Sequence, residues 1–337
     1  MEQAIVVGAG PCGLSAAIEL QRIGLNPLVI EKNVVVHSIY QYPTYMRFFS
    51  TPELLEIGNI PFVTPHEKPS RQEALTYYRT VAERHRVRIN SYETVIEVRK
   101  QPDSCFVVAS QDRWGKPREY ETQHVVIATG YFDHPNLLGI PGETSPKVSH
   151  FFREAHPYTG TKVAIIGGSN SAIDAALELM RVGAEVTVVY RGDTYSPYIK
   201  PWVRPIFESM VNKGIIRMLF GSRVVGIDND TVTVERLPSA ADTDEQGRLT
   251  FANDFVLALT GFRPDRSFLG NMGVRVEGDY DIPRFDPETM ETNVEGLYVA
   301  GVVASGREAN EVFIETGRKH GSLIAAHIAG KRGAPLL

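Results

Sequence analysis

The stretch Ala4-Ile5-Val6-Val7-Gly8-Ala9-Gly10-Pro11-Cys12-Gly13 decides the fold of this chain of 337 residues. Its apolar run predicts a buried parallel strand, and the glycines after it predict a tight turn into a helix. Gly8 permits the turn, Gly10 lets the backbone approach phosphates, and Gly13 lets helix and strand pack closely. Pro11 suits the first helical position, where no N–H is needed. The stretch therefore predicts a unit that binds the pyrophosphate of a dinucleotide.

The next strand ends on an acid at the spacing expected of such a unit. A second apolar run, 27–30, precedes Glu31, which lies eighteen residues after Gly13. A carboxylate at this place takes the ribose hydroxyls of the nucleotide. Glu31 and its neighbour Lys32 are therefore candidate cofactor-binding residues. Because the unit starts at residue 4, we expect neither a preceding domain nor a signal peptide.

A second copy of strand, glycine turn and helix occupies residues 162–172. The central glycine of the pattern is replaced by Ser169 and the last by Ala172, a replacement that the pattern allows. Gly183 is well placed to end the helix that follows. The candidate nucleotide-binding residues of this copy are Gly167, Gly168, Ser169, Asn170, Ser171 and Ala172.

The strand after the second turn lacks the acid found after the first. Residues 185–189 are followed by Tyr190-Arg191, with no carboxylate. An acid there would repel a 2′-phosphate, whereas Arg191 can pair with one. We therefore expect NADPH rather than NADH, with Arg191 and Lys200 as candidate contacts. Two nucleotide units in this order indicate FAD at the first and NADPH at the second.

Composition and charge fit a globular enzyme rather than a nucleic-acid or membrane protein. Charged residues make up 22% and hydrophobic residues 43% of the chain, and the formal net charge is −5. Such a chain has no overall basic field for nucleic acid, and no apolar run approaches the ~18 residues of a membrane span. The two cysteines, Cys12 and Cys105, follow neither a disulfide nor a metal-ligand pattern. We expect a cytoplasmic protein without a metal.

Four further segments carry recognisable patterns. Residues 36–64 are rich in aromatic side chains and either wall one side of a flat ring system or pack in a subunit interface. Apolar strands run into small-residue turns at Ala128-Thr129-Gly130 and at Gly301, which makes Thr129, Gly130 and Gly301 candidate cofactor contacts. A final helix is predicted from about residue 310 to residue 328.

Over essentially its whole length the chain resembles the thioredoxin reductase-like flavoproteins with two dinucleotide sites. The pieces that carry this resemblance are the two glycine turns, the turn ending at Gly130 and the segment Leu297-Tyr298-Val299-Ala300-Gly301. The resemblance implies an α/β fold of two Rossmann-like dinucleotide-binding domains, the second inserted into the first. It implies a discontinuous FAD-binding domain at 1–140 and 270–337, and an NADPH-binding domain at 150–262.

The segment that returns the chain to the flavin departs from the pattern of that group. An acid usually follows the glycine and contacts the flavin, but Val302 follows Gly301 here. The contact must then come from a backbone group or from Asn310, and the neighbouring Glu311 is a further candidate. The helix after this segment is expected to point its positive N-terminal end towards the flavin.

The chain is more specifically similar to the YpdA-type bacillithiol disulfide reductases. Motifs outside the nucleotide turns carry the similarity, namely Tyr42-Pro43-Thr44-Tyr45-Met46-Arg47-Phe48-Phe49-Ser50, Tyr195-Ser196-Pro197-Tyr198-Ile199-Lys200-Pro201-Trp202 and Ala309-Asn310-Glu311-Val312-Phe313-Ile314-Glu315. The similarity implies an FAD enzyme that uses NADPH to reduce the disulfide of a low-molecular-weight thiol, bacillithiol. It also implies a homo-oligomer, a bacilliredoxin-type protein partner, and Cys12 as the redox residue.

Cys12 has two interpretations. Because the chain has no paired cysteines, a dithiol relay within it is excluded, and electrons would reach the disulfide through a mixed disulfide on Cys12 or directly. At the second position of a helix the thiolate is favoured by unpaired N–H groups, yet a pyrophosphate at the same helix end opposes it. Otherwise Cys12 is a small residue that packs in the turn.

Three other functions fit the same motifs. A thioredoxin reductase-like ferredoxin–NADP reductase also lacks paired cysteines, and it would reduce an iron–sulfur partner independently of Cys12. A flavin monooxygenase shares the paired glycine turns and would hydroxylate a substrate. A redox sensor would hold both nucleotides without passing electrons to a small acceptor.

Overall fold

The chain folds into two compact units. The computed structural model describes residues 1–102, 105–236, 247–278, 281–306 and 311–332. The first unit combines Met1–His134 with Phe262–Leu337, and the second is Pro135–Gly261. The second unit is therefore inserted into the sequence of the first.

Most of the strands are short, and several follow one another without a helix between them. The strands are β1 (Ile5–Val7), β2 (Leu28–Glu31), β3 (Arg88–Ser91), β4 (Glu93–Lys100), β5 (Phe106–Asp112), β6 (Pro117–Thr122), β7 (Val125–Ile127), β8 (Val148–Ser149), β9 (Lys162–Ile166), β10 (Glu185–Val189), β11 (Ile216–Leu219), β12 (Ser222–Ile227), β13 (Thr231–Arg236), β14 (Arg248–Ala252), β15 (Phe255–Ala258), β16 (Val276–Glu277), β17 (Ile282–Pro283) and β18 (Leu297–Val299). The α-helices are α1 (Pro11–Arg22), α2 (His37–Gln41), α3 (Pro52–Leu55), α4 (Arg71–Arg84), α5 (Asn170–Arg181), α6 (Arg204–Asn212), α7 (Arg266–Asn271), α8 (Ile314–Gly317) and α9 (His320–Arg332). Turns of 3₁₀-helix lie at His156–Tyr158 and Gly301–Ala304.

The first unit is built on a parallel sheet with the strand order β18-β7-β1-β2-β3. Its central strands β1 and β7 are buried along their whole length, as their uninterrupted apolar sequence predicts. Helices α1 and α9 approach each other so closely that a Cβ on Gly321 would lie 2.7 Å from Cα of Ala16. Glycine at that position is what permits the approach.

Four neighbouring strands of this sheet end at one edge. Because β1, β2, β7 and β18 run parallel, the residues that follow them, namely Gly8, Lys32, Ala128 and Ala300, all lie at their carboxyl ends. Strand β1 pairs with β2 on one side and with β7 on the other, so the strand order reverses at β1. In open parallel sheets such a reversal of strand order is where ligands bind.

An antiparallel sheet of β4, β5 and β6 completes this part of the first unit. It contains the buried carboxylate of Glu93, which accepts hydrogen bonds from the hydroxyls of Ser110 at 2.6 Å and Tyr120 at 2.8 Å. The guanidinium of Arg118 donates to the same carboxylate at 3.0 Å. The charge of Glu93 is thus compensated inside the sheet, as a buried carboxylate requires.

The second unit repeats the parallel arrangement. Its main sheet has the order β11-β10-β9-β15-β8, and an antiparallel sheet has the order β12-β13-β14. Helix α5 follows β9 directly, and its residues Ile173 and Leu179 are fully buried in the core of this unit. The predicted fold class, α/β with two Rossmann-like units and the second inserted into the first, is confirmed.

The prediction of one final helix from about residue 310 to residue 328 is wrong. Residues 307–310 lie outside the described part of the chain, and α8 ends at Gly317 before α9 begins at His320. The carbonyl oxygen of Arg318 accepts a hydrogen bond from the hydroxyl of Ser15 at 2.6 Å. At the break between the two helices this carbonyl therefore bonds to a side chain of α1. Such a contact between distant parts of the chain cannot be predicted from a local sequence pattern.

Within the described ranges, no helix combines the length and the apolar character that crossing a membrane would need.

Candidate functional site

The first glycine turn connects β1 to α1 with three glycines that serve different purposes. Gly8 has a φ of +107°, and a Cβ there would lie 2.5 Å from the carbonyl oxygen of Ala128. A Cβ on Gly13 would lie 2.0 Å from the carbonyl oxygen of Gly8. Both glycines are therefore required by the protein's own packing.

Gly10 is different because nothing in the protein requires a glycine there. Its φ of −71° is open to any residue, and a Cβ would meet no atom within 4 Å. Gly10 instead lines a cavity. A missing side chain that faces open space leaves room for a ligand to approach the backbone, which is what the pyrophosphate of FAD needs.

Glu31 stands at the end of β2 and is held rigidly. Its carboxylate accepts hydrogen bonds from the N–H of Ala9 at 2.8 Å and from the N–H of Asn33 at 2.9 Å. Burial raises the pKa of Glu31 even though these two donors favour the charged form. Carboxylate oxygens have further acceptor sites, so Glu31 can also accept hydrogen bonds from ribose hydroxyls.

The cavity brings together most of the residues predicted to hold FAD. It has a volume of about 530 Å³ and lies in the first unit at the carboxyl ends of the parallel strands. The predicted residues that line it are Gly8, Gly10, Pro11, Cys12, Glu31, Lys32, Thr129, Gly130 and Gly301. The glycine turn, the acid after β2 and the turns after β7 and β18 thus surround one space, and this donor set fits FAD.

Some predicted residues take other places. The ammonium of Lys32 pairs with the carboxylate of Asp133 at 2.8 Å at the cavity wall. Glu311 is exposed and does not line the cavity, although its neighbour Val312 does. Asn310, the candidate replacement for the missing acid, lies outside the described residues.

Cys12 lies in the cavity wall with its sulfur enclosed by two glycines. A Cβ placed on Gly301 or on Gly317 would lie 2.9 Å from Sγ of Cys12. Burial raises the pKa of Cys12 to about 12. Desolvation by this packing therefore outweighs the helix N-terminus, and the sulfur is a protonated thiol at neutral pH.

The aromatic segment of residues 36–64 contributes one side of the cavity. Tyr42, Met46, Phe48 and Phe49 line it. Tyr45 does not, and its side chain is 77% exposed. Within this segment the aromatic residues thus divide between a cavity wall and an exposed surface.

The turn after β18 is held by side chains on two sides. The N–H of Gly301 donates to Nδ1 of His320 at 3.1 Å, and the guanidinium of Arg266 donates to the carbonyl oxygen of Val303 at 2.9 Å. Burial lowers the pKa of His320, so the ring stays neutral and Nδ1 remains an acceptor. The turn presents the apolar Val302 to the cavity at the position where an acid was expected from the related flavoproteins.

We expect the contribution of His320 to stability to be lost in acid. Because the folded pKa is lowered, the unfolded chain binds the proton first, and stability falls as the pH drops below the ordinary histidine value of about 6.5. The melting temperature should fall between pH 7 and pH 5 by roughly 2–4 °C, the change that ~1 kcal/mol gives in a domain of this size.

Thermal melts of a His320→Asn variant provide the comparison. Asparagine keeps an acceptor for the N–H of Gly301 but does not titrate in this range, so its melting temperature should depend less on pH. Other histidines, including His124, whose pKa is also lowered by burial, remain in both proteins. An unchanged pH dependence in the variant would assign the acid sensitivity to those other groups.

The second glycine turn connects β9 to α5 in the second unit. Gly167 has a φ of +137°, and a Cβ there would lie 2.4 Å from the carbonyl oxygen of Leu259. A Cβ on Gly168 would lie 2.4 Å from the ring of Tyr190. The side chains of Ser169 and Ser171 are exposed at the start of α5, where the first N–H groups have no partner within the helix.

Some polar side chains around this turn are paired within the protein, and others remain free to bind a ligand. The carboxamide of Asn170 donates to the carbonyl oxygen of Tyr198 at 2.8 Å and accepts from the N–H of Lys200 at 2.9 Å. The ammonium of Lys200 pairs with Asp174 at 2.7 Å. Arg191 is exposed and forms no ion pair or hydrogen bond with the described residues. Of the two predicted cations, Arg191 is therefore the one available to a 2′-phosphate.

Several cavity residues were not anticipated from the sequence. They are aromatic or acidic side chains from the loop after β7 and from the start of α7 with the residue before it, namely Tyr131, Phe132, Asp133, Asp265 and Phe268. The three residues 131–133 directly follow the predicted turn at Gly130, so the turn itself was the available signal. No pattern in the sequence pointed to Asp265 or Phe268.

Comparison with known proteins relates the chain to flavin reductases. The family model for pyridine nucleotide-disulphide oxidoreductases matches residues 5–301. The bacilliredoxin reductase Bdr of Bacillus subtilis (strain 168) is 51% identical over 97% of this chain and 98% of that protein. A solved structure of the bacillithiol disulfide reductase Bdr (YpdA) from Bacillus cereus is 49% identical, with a TM-score of 0.93 over 98% of this chain and 99% of that one. A ferredoxin–NADP reductase of Ignicoccus hospitalis is 29% identical over 89% of this chain and 90% of that protein.

Proposed function

This chain belongs to the pyridine nucleotide-disulphide oxidoreductase family, and within that family we propose that it reduces bacillithiol disulfide with electrons from NADPH. It is an oxidoreductase whose cofactors are FAD and NADPH. The observation that carries the choice of substrate is the relationship, over almost the whole chain, to the two Bdr reductases. The ferredoxin–NADP reductase is a more distant relative.

The cavity of the first unit is proposed as the FAD site. The start of α1 and Gly10 face the pyrophosphate, Glu31 takes ribose hydroxyls, and the turns at Gly130 and Gly301 close around the rest. When bound, FAD supplies a ring that can accept a hydride from NADPH and give two electrons to a disulfide.

The second glycine turn is proposed as the NADPH site. Gly167 and Gly168 shape the turn, and the hydroxyls of Ser169 and Ser171 stand beside the unpaired N–H groups of α5. Arg191 is proposed to bind the 2′-phosphate by charge-assisted hydrogen bonds. Asn170 and Lys200 act indirectly, because they hold the loop at Tyr198 against the start of α5.

Anaerobic oxidation of NADPH by the purified yellow protein tests the function. Oxidised bacillithiol is supplied as acceptor, glutathione disulfide serves as control, and an oxidised ferredoxin-type protein is assayed in parallel as a third acceptor. We expect turnover with oxidised bacillithiol that exceeds turnover with glutathione disulfide by at least about tenfold, which requires ~1.4 kcal/mol of discrimination. Bound FAD that is reduced by NADPH but is reoxidised by neither disulfide would contradict the proposal and favour ferredoxin-type acceptors.

Cys12 is proposed to contact the disulfide. A Cys12→Ala variant should keep the rate at which NADPH reduces bound FAD, but should lose about tenfold or more in turnover with bacillithiol disulfide, the effect of losing ~1.4 kcal/mol of stabilisation. Stopped-flow absorbance separates the two steps. The matched control is Cys105→Ala, because Cys105 does not line the cavity.

A Cys12→Ser variant then separates the two routes that the thiol allows. Serine keeps a hydrogen-bond donor but cannot form a mixed disulfide, so activity as low as that of Cys12→Ala assigns the covalent route. Because the pKa of Cys12 is about 12, that route should also accelerate as the pH rises from 7 to 9. If Cys12→Ala kept the full rate of bacillithiol disulfide reduction, Cys12 would have only a packing role.

A bacilliredoxin-type protein partner and a homo-oligomer complete the proposal. The name of the Bacillus subtilis relative motivates the first. Exposed aromatic side chains motivate the second, since Tyr45 is 77% and Phe49 55% exposed. Reduction of an oxidised bacilliredoxin by the protein, with NADPH as the electron source, tests the partner. A molar mass from light scattering equal to that of one chain would contradict the homo-oligomer.

A further inference from the structure

Several polar side chains along the proposed FAD cavity are satisfied by the protein itself. Glu31 accepts two backbone N–H groups, Lys32 pairs with Asp133, and the hydroxyl of Ser50 donates to Glu315 at 2.7 Å. These groups are fixed before any ligand enters. Any inference about which other residues meet FAD rests on the proposed assignment of this cavity.

Two tyrosines on the same cavity have rings that are held by aromatic contacts and hydroxyls that lack a hydrogen-bond partner among the described residues. Tyr42 and Tyr131 both line the cavity, and their hydroxyls have no hydrogen-bond partner among the residues that the structure describes. The ring of Tyr42 meets Phe132 edge-on, with centroids 5.0 Å apart, and Phe48 at 6.3 Å. The ring of Tyr131 meets Phe262 edge-on at 6.0 Å. Aromatic contacts thus hold both rings while the hydroxyls stay available.

These hydroxyls stand in a desolvated setting. Burial raises the pKa of Tyr42 and that of Tyr131, so both remain protonated at any physiological pH. A ligand that fills the cavity displaces the water that would otherwise bond to them. A buried hydroxyl that loses water without gaining a partner is destabilising, so a ligand that fits the cavity should bond to at least one of them.

Tyr42 stands near the place where the expected acid is missing. The phenol of Tyr42 is close enough to Cys12 that a charged sulfur there would raise the pKa of Tyr42, and the sulfur of Cys12 packs against Gly301. The next residue along the chain is Val302, which lines the cavity without a polar group. Tyr42 and the turn at Gly301 therefore border the same part of the cavity through their shared neighbour, Cys12.

We propose that the hydroxyl of Tyr42 hydrogen-bonds to bound FAD and supplies the polar contact that an acid after Gly301 supplies in related flavoproteins. A tyrosine hydroxyl can donate and accept, so it can serve a hydroxyl of the cofactor as a carboxylate does. Unlike a carboxylate it carries no negative charge, and it reaches the cavity from a different segment of the chain.

A Tyr42→Phe variant tests the proposal because it removes the hydroxyl and keeps the ring contacts with Phe48 and Phe132. FAD release is followed by the rise in flavin fluorescence on dilution of the purified holoenzyme, and the dissociation constant is obtained by titrating FAD back. We expect the dissociation constant to rise about fivefold to tenfold, the range of one net hydrogen bond. The matched control is Tyr45→Phe, an exposed tyrosine outside the cavity, which should stay within about twofold of wild type.

A second variant separates a specific contact from general damage. Adding Val302→Asp to Tyr42→Phe restores an acid at the position found in the related flavoproteins, and it should recover most of the lost affinity. A dissociation constant for Tyr42→Phe that stays within about twofold of wild type would overturn the proposal, as would a loss that the added acid leaves unchanged. Failure of the wild-type protein to bind FAD would instead contradict the assignment of the cavity itself.

Discussion

A Gly10→Val variant should fold and yet fail to hold FAD. The backbone at Gly10 accepts any residue, and a Cβ there meets no atom of the protein within 4 Å, so the side chain has no cost to the fold. The same side chain would occupy the space where the cavity meets the start of α1. We expect the affinity for FAD to fall about 100-fold or more, since overpacking of ~3 kcal/mol corresponds to that factor.

Circular dichroism tests whether the variant folds, and flavin fluorescence measures its affinity for FAD. A Gly270→Val variant is the matched control, because Gly270 lies in the same unit, is exposed, meets no atom within 4 Å and does not line the cavity. It should bind FAD as the wild type does. A Gly10→Val protein that retains FAD would show that the cofactor does not approach this backbone.

An Arg191→Ala variant should lose its preference for NADPH. The exposed guanidinium at the end of β10 has no partner among the described residues, so its removal leaves no buried group unpaired. Loss of charge-assisted hydrogen bonds to the 2′-phosphate, ~2–3 kcal/mol, should lower kcat/KM for NADPH about 30- to 150-fold. The kcat/KM for NADH, which has no such phosphate, should change less than about twofold.

Steady-state kinetics with both nucleotides test this selectivity. Arg204→Ala is the control, because the guanidinium of Arg204 already pairs with Glu208 at 2.6 Å. Equal losses with NADPH and NADH in Arg191→Ala would indicate damage to the site rather than the loss of a phosphate contact.

The elements that could be predicted from the sequence are those determined by neighbouring residues. The strand and glycine turn at 4–13, the acid at Glu31 and the second turn at 162–172 each depend on a few adjacent positions. The parallel sheet then brings the ends of these strands together without further information. For this reason the outline of the proposed FAD cavity, including the turns at Gly130 and Gly301, could be predicted from the sequence alone.

The properties that could not be predicted depend on residues far apart in the chain. The N-terminal position of Cys12 in α1 favours a thiolate, but packing against Gly301 and Gly317 desolvates the sulfur and raises its pKa to about 12. Lys200 has the charge of a phosphate ligand, but its ammonium meets Asp174 at 2.7 Å. In each case a long-range contact decides the chemistry of a group whose local sequence suggests the opposite.

The divided first unit has a consequence for how the protein is made. Its sheet needs β18, and its cavity needs the turn at Gly301 and helix α8, all of which are synthesised after the whole of the second unit. The second unit is therefore fully synthesised while the first still lacks strand β18 of its sheet and the part of the cavity wall formed by the turn at Gly301 and α8. The proposed FAD site is therefore not complete until residues 297–317 have been synthesised. Capture of the cofactor would thus report that the turn at Gly301 and helix α8 have reached their places.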